Sequence, residues 1–169
     1  MKANRFVTPL ILSVMALGGP SLARAQASGM GNMPGMDMGH EIVIPKGALY
    51  TKADVEFMQG MIAHHSQAIV MSRMAESHGA NSQVQKLSNK IDQSQVAEIS
   101  IMQGWLERNK QFAPDTSSWR HMTMAGMLTD AQIKELDAAK GVDFDRAYLN
   151  YMIMHHSGAL KMVDDLFAA

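Results

Sequence analysis

Two short strings in this chain have the residue types and spacing of a soft-metal site. They are Met61-Ile62-Ala63-His64-His65 and Met152-Ile153-Met154-His155-His156. On a helix, positions three and four apart share a face. Met61 therefore projects near His64 and His65, and Met152 near His155 and His156. Met71 follows His64 by seven residues, Met162 follows His155 by seven, and Met58 precedes His65 by seven. Each stretch offers imidazole nitrogen and thioether sulfur within one or two turns. Thioether is a soft, neutral ligand that suits copper(I) or silver(I) and is poor for calcium, magnesium or ferric iron. Imidazole accepts copper in either oxidation state, and zinc as well. The chain has no cysteine, so no thiolate competes, no disulfide forms and no lipid can be attached through cysteine. Neutral ligands leave copper(I) with its single charge, which favours moderate affinity and easy transfer.

The two strings belong to a repeat. Asp54 to Met71 returns as Asp145 to Met162, offset by 91 residues, with eight identities in eighteen positions. Phe57 meets Tyr148. The segment between lacks the motif. A pseudo-twofold pairing of the first and last helices would put both His-His pairs in one bundle. Packing is the competing reading for any one helical methionine, because Met fills irregular gaps in cores. Adjacent histidines are harder to explain that way. They point about 100° apart on a helix, so one of each pair can be a ligand while the other faces the surface or a hydrogen-bond partner.

Two further segments repeat the theme. Gly29 to His40 holds Met30, Met33, Met36, Met38 and His40 within eleven residues, in a stretch too Gly-rich to bury them. Such thioethers could wrap a soft ion; the alternative is a plain linker. His121-Met122-Thr123-Met124-Ala125-Gly126-Met127 either extends the ligand set through His121, Met122, Met124 and Met127 or covers one end of the bundle.

The elements that must position these residues are helices. Lys2 and Arg5, an apolar run from Phe6 to Gly19 and then Ala23-Arg24-Ala25 have the order of a secretory signal peptide. Cleavage is expected after Ala25. The run is too short for a comfortable membrane span, and no later run could cross one. Residues 26–50 read as a flexible Met/Gly-rich arm and residues 51–169 as one domain. Thr51 with Asp54 can cap a first helix that runs to His78, with Gly79 as its stop. Ser82 with Gln85 opens a second helix, to about Asn109. Pro114 and the serines after it form a loop. Thr129 with Gln132 caps a short helix ending near Gly141, and a last helix runs from about Asp143 to Phe167. No segment shows the period-two pattern of strands. Three long helices, one short helix and short connections predict an all-α antiparallel bundle.

Composition excludes several classes. With 15 basic and 16 acidic residues, net charge -1, there is no basic field for nucleic acid. A di-iron oxidase needs Glu-x-x-His on two helices, and none occurs. There is no nucleophile elbow and no phosphate-cradling glycine loop, so no catalytic residue is assigned.

Phe57 through His65, Phe144-Asp145, Tyr148, Met152, Ile153, His155, His156, Gly158 and Ala159 together resemble the bacterial family called domain of unknown function three hundred and five. So do Gln95, Glu98, Ile99, Met102, Trp105 and Leu106, and the Ala125-Gly126-Met127 turn. The resemblance spans about Thr51 to Phe167. It implies a ferritin-like bundle, export to the periplasm and a role in copper binding or resistance. It places the ligand expectation on Met61, His64, His65, Met152, His155 and His156. Tyr148 departs from the pattern, standing where phenylalanine is usual, and Met154 precedes the second His pair. The expected function is a non-enzymatic copper(I) chaperone, buffer or resistance factor, with silver(I) bound by the same ligands. The expected partner is a copper efflux or storage protein. The alternatives are a copper(I) oxidase and a metal-free structural bundle.

Overall fold

The computed structural model describes residues 40–169, so the expected signal peptide and Met30, Met33, Met36 and Met38 lie outside the described residues. Four α-helices carry the fold: α1 (Lys52–Arg73), α2 (Ser82–Arg108), α3 (Asp130–Ala138) and α4 (Gly141–Ala168), with a short 3-10 turn at Ser118–Arg120. No strand occurs among the described residues. The helical bundle expected from the sequence is what forms. No helix among the described residues is long and apolar enough to cross a membrane.

The helix ends follow local chemistry. Thr51 and Asp54 make a reciprocal capping box on α1, and Thr129 and Gln132 make another on α3. The cap of α2 is Asn81, one residue before the expected Ser82; its side-chain oxygen accepts from the amides of Gln83 and Val84. An amide side chain can also donate through its nitrogen, and Asn81 Nδ2 donates to Asp145 on α4 at 2.6 Å. Regular α1 ends at Arg73, earlier than expected, and residues 74–79 continue as tightened turns. The stop is still Gly79. The amide of Ala80 reaches the Ala75 carbonyl and that of Gly79 reaches Glu76, a Schellman motif with Gly79 at φ +68°. The same motif closes α2 through Gln111 to Leu106 and Lys110 to Glu107, with Lys110 in the left-handed position.

α1 is the hub. Every residue from Gln59 to Ile69 is buried, as expected of a helix covered on all sides. α2 contributes one buried seam, Val84, Ser88, Gln95, Ile99, Met102 and Leu106, and is otherwise half-buried or exposed. α4 buries a face of Phe144, Tyr148, Met152, His155, Gly158 and Met162. The core divides into two clusters. One joins Ala68 and Met71 of α1 to Val84, Leu128, Leu136, Phe144, Tyr148 and Met152. The other joins Val55, Met61, Ile62 and Ile69 to Ile99, Met102, Leu106 and Met162. A fully buried Ile or Met contributes about 1.5–3 kcal/mol, so these side chains dominate the packing energy. The Tyr148 hydroxyl is hydrogen-bonded to Ser72 at 2.9 Å. That partner is what allows tyrosine at a buried position where the resemblance leads one to expect phenylalanine.

Candidate metal centre

The two halves of the repeat meet across the α1–α4 contact. The rings of His64 and His155 lie against each other, centroids 3.7 Å apart with a 40° tilt. Both are almost fully buried. Met61 and Met162 share the cluster on one side of this pair, and Met71 and Met152 share the cluster on the other. The arrangement is antiparallel: each helix supplies one methionine to each cluster and one ring to the centre.

Burial keeps both rings neutral. Desolvation is the main cause that pushes His64 down to about 3, helped by the neighbouring His65 and His156 and opposed by a hydrogen bond to Ala125. Desolvation likewise pushes His155 to about 2, with His64, His156 and His65 adding to it and a hydrogen bond to the His64 backbone opposing it. Hydrogen bonding then selects the tautomer. A carbonyl oxygen only accepts. His64 Nε2, 3.2 Å from the Ala125 carbonyl, therefore carries the proton, and Nδ1 is a bare lone pair. His65 Nε2 lies 2.7 Å from Glu98 Oε2 and His156 Nδ1 lies 2.9 Å from the Met152 carbonyl. In both, one ring N–H donates to oxygen and the other nitrogen is left over. This is how ligating histidines are oriented in metal sites.

His64 Nδ1, His65 Nδ1 and His155 Nε2 are buried with no hydrogen-bond partner, as is Oε1 of Gln95, one turn from Glu98 on α2. A buried unsatisfied polar atom costs about 1–3 kcal/mol. Three of four lie on the repeated histidines, between two clusters of thioethers. No group of three or more His, Cys, Asp or Glu with metal geometry occurs among the described residues, so any ion here would rely on few imidazoles and on sulfur.

The loop before α3 closes the site. Gln67 holds it from α1, its amide donating to the Leu128 carbonyl at 2.9 Å and accepting from the Leu128 amide at 2.7 Å. From α4, Gly158 lets the Ala125-Gly126 backbone sit on the helix; a Cβ there would overlap the Ala125 carbonyl. Met122 is buried, Met124 and Met127 are half-buried, and His121 is exposed. Met124 packs against the cluster of Met61 and Met162. His40, the last residue of the arm string, stacks on Phe112 with centroids 3.8 Å apart. It is not among the residues gathered at the His64–His155 pair.

Sequence reasoning named Glu98 and Met102 only through the family resemblance and gave neither a part in the site. Glu98 orients His65. Its signal was an acidic residue one position before Ile99 on the apolar seam of α2. Met102 on α2 and the partly buried Met58 join the Met61–Met162 cluster. A serine–histidine–aspartate line does occur: Ser77 to His78 at 2.9 Å and His78 to Asp137 at 3.1 Å. The Ser77 hydroxyl, however, donates to the Met74 carbonyl, and the His78 carbonyl accepts from the Gly141 amide. His78 ties the end of α1 to the α3–α4 junction.

Fold and site together define a class: an all-α bundle with paired, neutral, partly unsatisfied histidines at the crossing of two repeated helices. The chain belongs to the DUF305 family, described as a domain of unknown function, whose profile matches residues 54–169. A crystal structure of a DUF305 protein from Streptomyces coelicolor, described as a candidate secreted protein, is similar at 32% identity and TM-score 0.60, over 67% of this chain and 72% of that one. A DUF305 fragment from Deinococcus radiodurans is similar at 30% identity and TM-score 0.59, over 66% of this chain and 74% of that one. No curated protein matches.

Proposed function

We propose that this is an exported copper(I)-binding protein, periplasmic, that acts as a chaperone, buffer or resistance factor rather than as an enzyme. The observation that carries the reading is the pair of buried, neutral imidazoles in contact whose His64 Nδ1 and His155 Nε2 have no partner. A soft cation is the ligand that two neutral nitrogens and flanking thioethers accept. His64 and His155 would hold the ion, with Met61, Met162, Met71 and Met152 as sulfur donors and His65 and His156 the second nitrogen pair. Silver(I) would occupy the same ligands. The arm would gather ions or pass them to an efflux or storage partner. Export is supported by the order of residues at the start of the chain and by the similar Streptomyces protein being described as secreted. The methionines alone would not carry the reading, because Met61, Met71, Met152 and Met162 sit in clusters that packing already explains.

The test is anaerobic copper(I) titration against a competing chromophoric chelator. It compares the full chain, the chain beginning at Ile42, and His64→Ala with His155→Ala, folding being checked by circular dichroism. Binding kept without the arm and lost in the double variant is the expected result. Binding lost with the arm alone would make the bundle a scaffold. Binding absent from all three would overturn the copper reading. Turnover of oxygen with copper(I) would instead favour an oxidase.

A further inference from the structure

The outer face of α4 carries large apolar side chains in a line. Val142 is 70% exposed, Ile153 67%, Leu160 63%, Phe167 72% and Leu149 37%. Val142 and Leu149 are seven apart, as are Ile153, Leu160 and Phe167, and four residues separate Leu149 from Ile153. His156 and Val163, both half-buried, continue the first row, and Arg146 begins the second. These two rows are the a and d positions of a heptad repeat, with Arg146, Ile153, Leu160 and Phe167 at a and Val142, Leu149, His156 and Val163 at d. The stripe runs about 39 Å along the helix, from the rise of 1.5 Å per residue. Scattered exposed apolar residues need no explanation, but a contiguous patch does. α2 shows the contrast: Leu87, Val96 and Ile101 are also exposed, but Val96 lies on the other side of the helix from Leu87 and Ile101, which are isolated at fourteen residues apart.

We propose that this stripe is the seam of an antiparallel dimer with a second copy of the chain. A heptad seam is complementary to another heptad seam, and the nearest source of one is the same helix in another molecule. Charge sets the direction. Parallel pairing would bring Arg146 of each copy against the other across an a–a layer. Antiparallel pairing matches a with d: Val142 with Phe167, Leu149 with Leu160, Ile153 with His156, and Arg146 with Val163. Arg146 then lies between Asp143 on its own helix and Asp164 of the second copy. The seam is separate from the His64–His155 centre and shares only His156 with the proposed ligand set, so it does not depend on the copper reading.

Sedimentation equilibrium of the full chain from micromolar to millimolar concentration tests it. A monomer–dimer equilibrium is expected. I153E with L160E should give a monomer at every concentration with unchanged helix content, since both side chains face solvent. The chain lacks cysteine, which permits a direct test of direction. A mixture of L149C and L160C should form the heterotypic disulfide under oxidation, while neither alone should cross-link efficiently. Homotypic cross-linking of L149C would overturn the antiparallel arrangement. A monomer throughout, or a dimer untouched by I153E with L160E, would overturn the dimer. Binding of the monomer to lipid vesicles, lost in the same variant, would assign the stripe to a membrane surface and overturn it equally.

Discussion

α1 and α4 carry the same motif in different surroundings. On α1 both histidines are buried, and the helix is covered on every side; on α4, His155 is buried while His156 is only half-buried and Ile153 faces solvent. Repeat mates that face inward do the same work: His64 lies against His155, and the methionines pair off between the clusters. Repeat mates that face neighbours do different work. Asp54 closes the capping box of its own helix, whereas Asp145 accepts from the backbone and side chain of Asn81 and fastens the start of α2. Gln67 grips Leu128 with two hydrogen bonds; its mate Gly158 grips nothing and instead makes room. The duplicated segment therefore holds its central contacts fixed and lets its partners to the rest of the fold diverge.

The comparison can be broken most severely at that last pair. Gly158→Ala should cost about 3 kcal/mol or more, since the added Cβ meets backbone rather than a movable side chain. Gln67→Ala should cost about 2–3 kcal/mol by leaving the buried amide and carbonyl of Leu128 without partners. Urea unfolding would rank them; equal and small losses would mean that the loop is not seated as described.

Acid is the next lever. His64 and His155 have folded pKa values of about 3 and about 2, below the ordinary 6.5. The unfolded chain therefore takes up protons first as pH falls. Their contribution is complete above about pH 6.5 and is lost progressively down to about pH 3. Between about pH 7 and pH 5 the loss should be about 2 kcal/mol for each histidine. A chain with both replaced by leucine should show a much flatter stability profile over that range. An unchanged profile would mean that the rings are not buried neutral.

Smaller effects separate the second nitrogen pair. Glu98→Gln should weaken copper(I) binding about tenfold if His65 ligates, because the residue that orients a ligating imidazole typically carries 10–100-fold in affinity. His156→Ala should do less than His155→Ala in the same titration, since only His155 lies against His64. Equal losses would remove the distinction between central and outer rings. The smallest expected change is a gain: Lys110→Gly should stabilise the chain by up to about 1 kcal/mol by relieving a left-handed lysine, read as a rise in the unfolding midpoint.

Local features were legible in the sequence and distant ones were not. The capping boxes at Thr51 and Thr129 and the stop at Gly79 depend on neighbours a few residues apart, and the pattern exposes them. The repeat announced that two His-His pairs would face one bundle. It could not state the register that brings His64 against His155, nor that Glu98 would face His65, because such pairings are fixed by packing between helices. Gly158 was noticed only through the family resemblance, and its reason became visible once the Ala125 carbonyl was found against it. The methionines remained ambiguous for a physical reason: a thioether that packs and a thioether that ligates have the same spacing.

The contact between Gly158 and the Ala125-Gly126 backbone also acts as a mechanical detent. Packed helices can slide past one another by small shears, but α4 is notched at one residue and the loop rests in the notch. Moving α4 by one residue would present Ser157 or Ala159 to the Ala125 carbonyl, and either carries a Cβ where there is space for none. The same carbonyl holds the proton of His64. One peptide group thus indexes the axial position of the second helix and the orientation of the ring on the first, so a displacement of the loop would unlock both together.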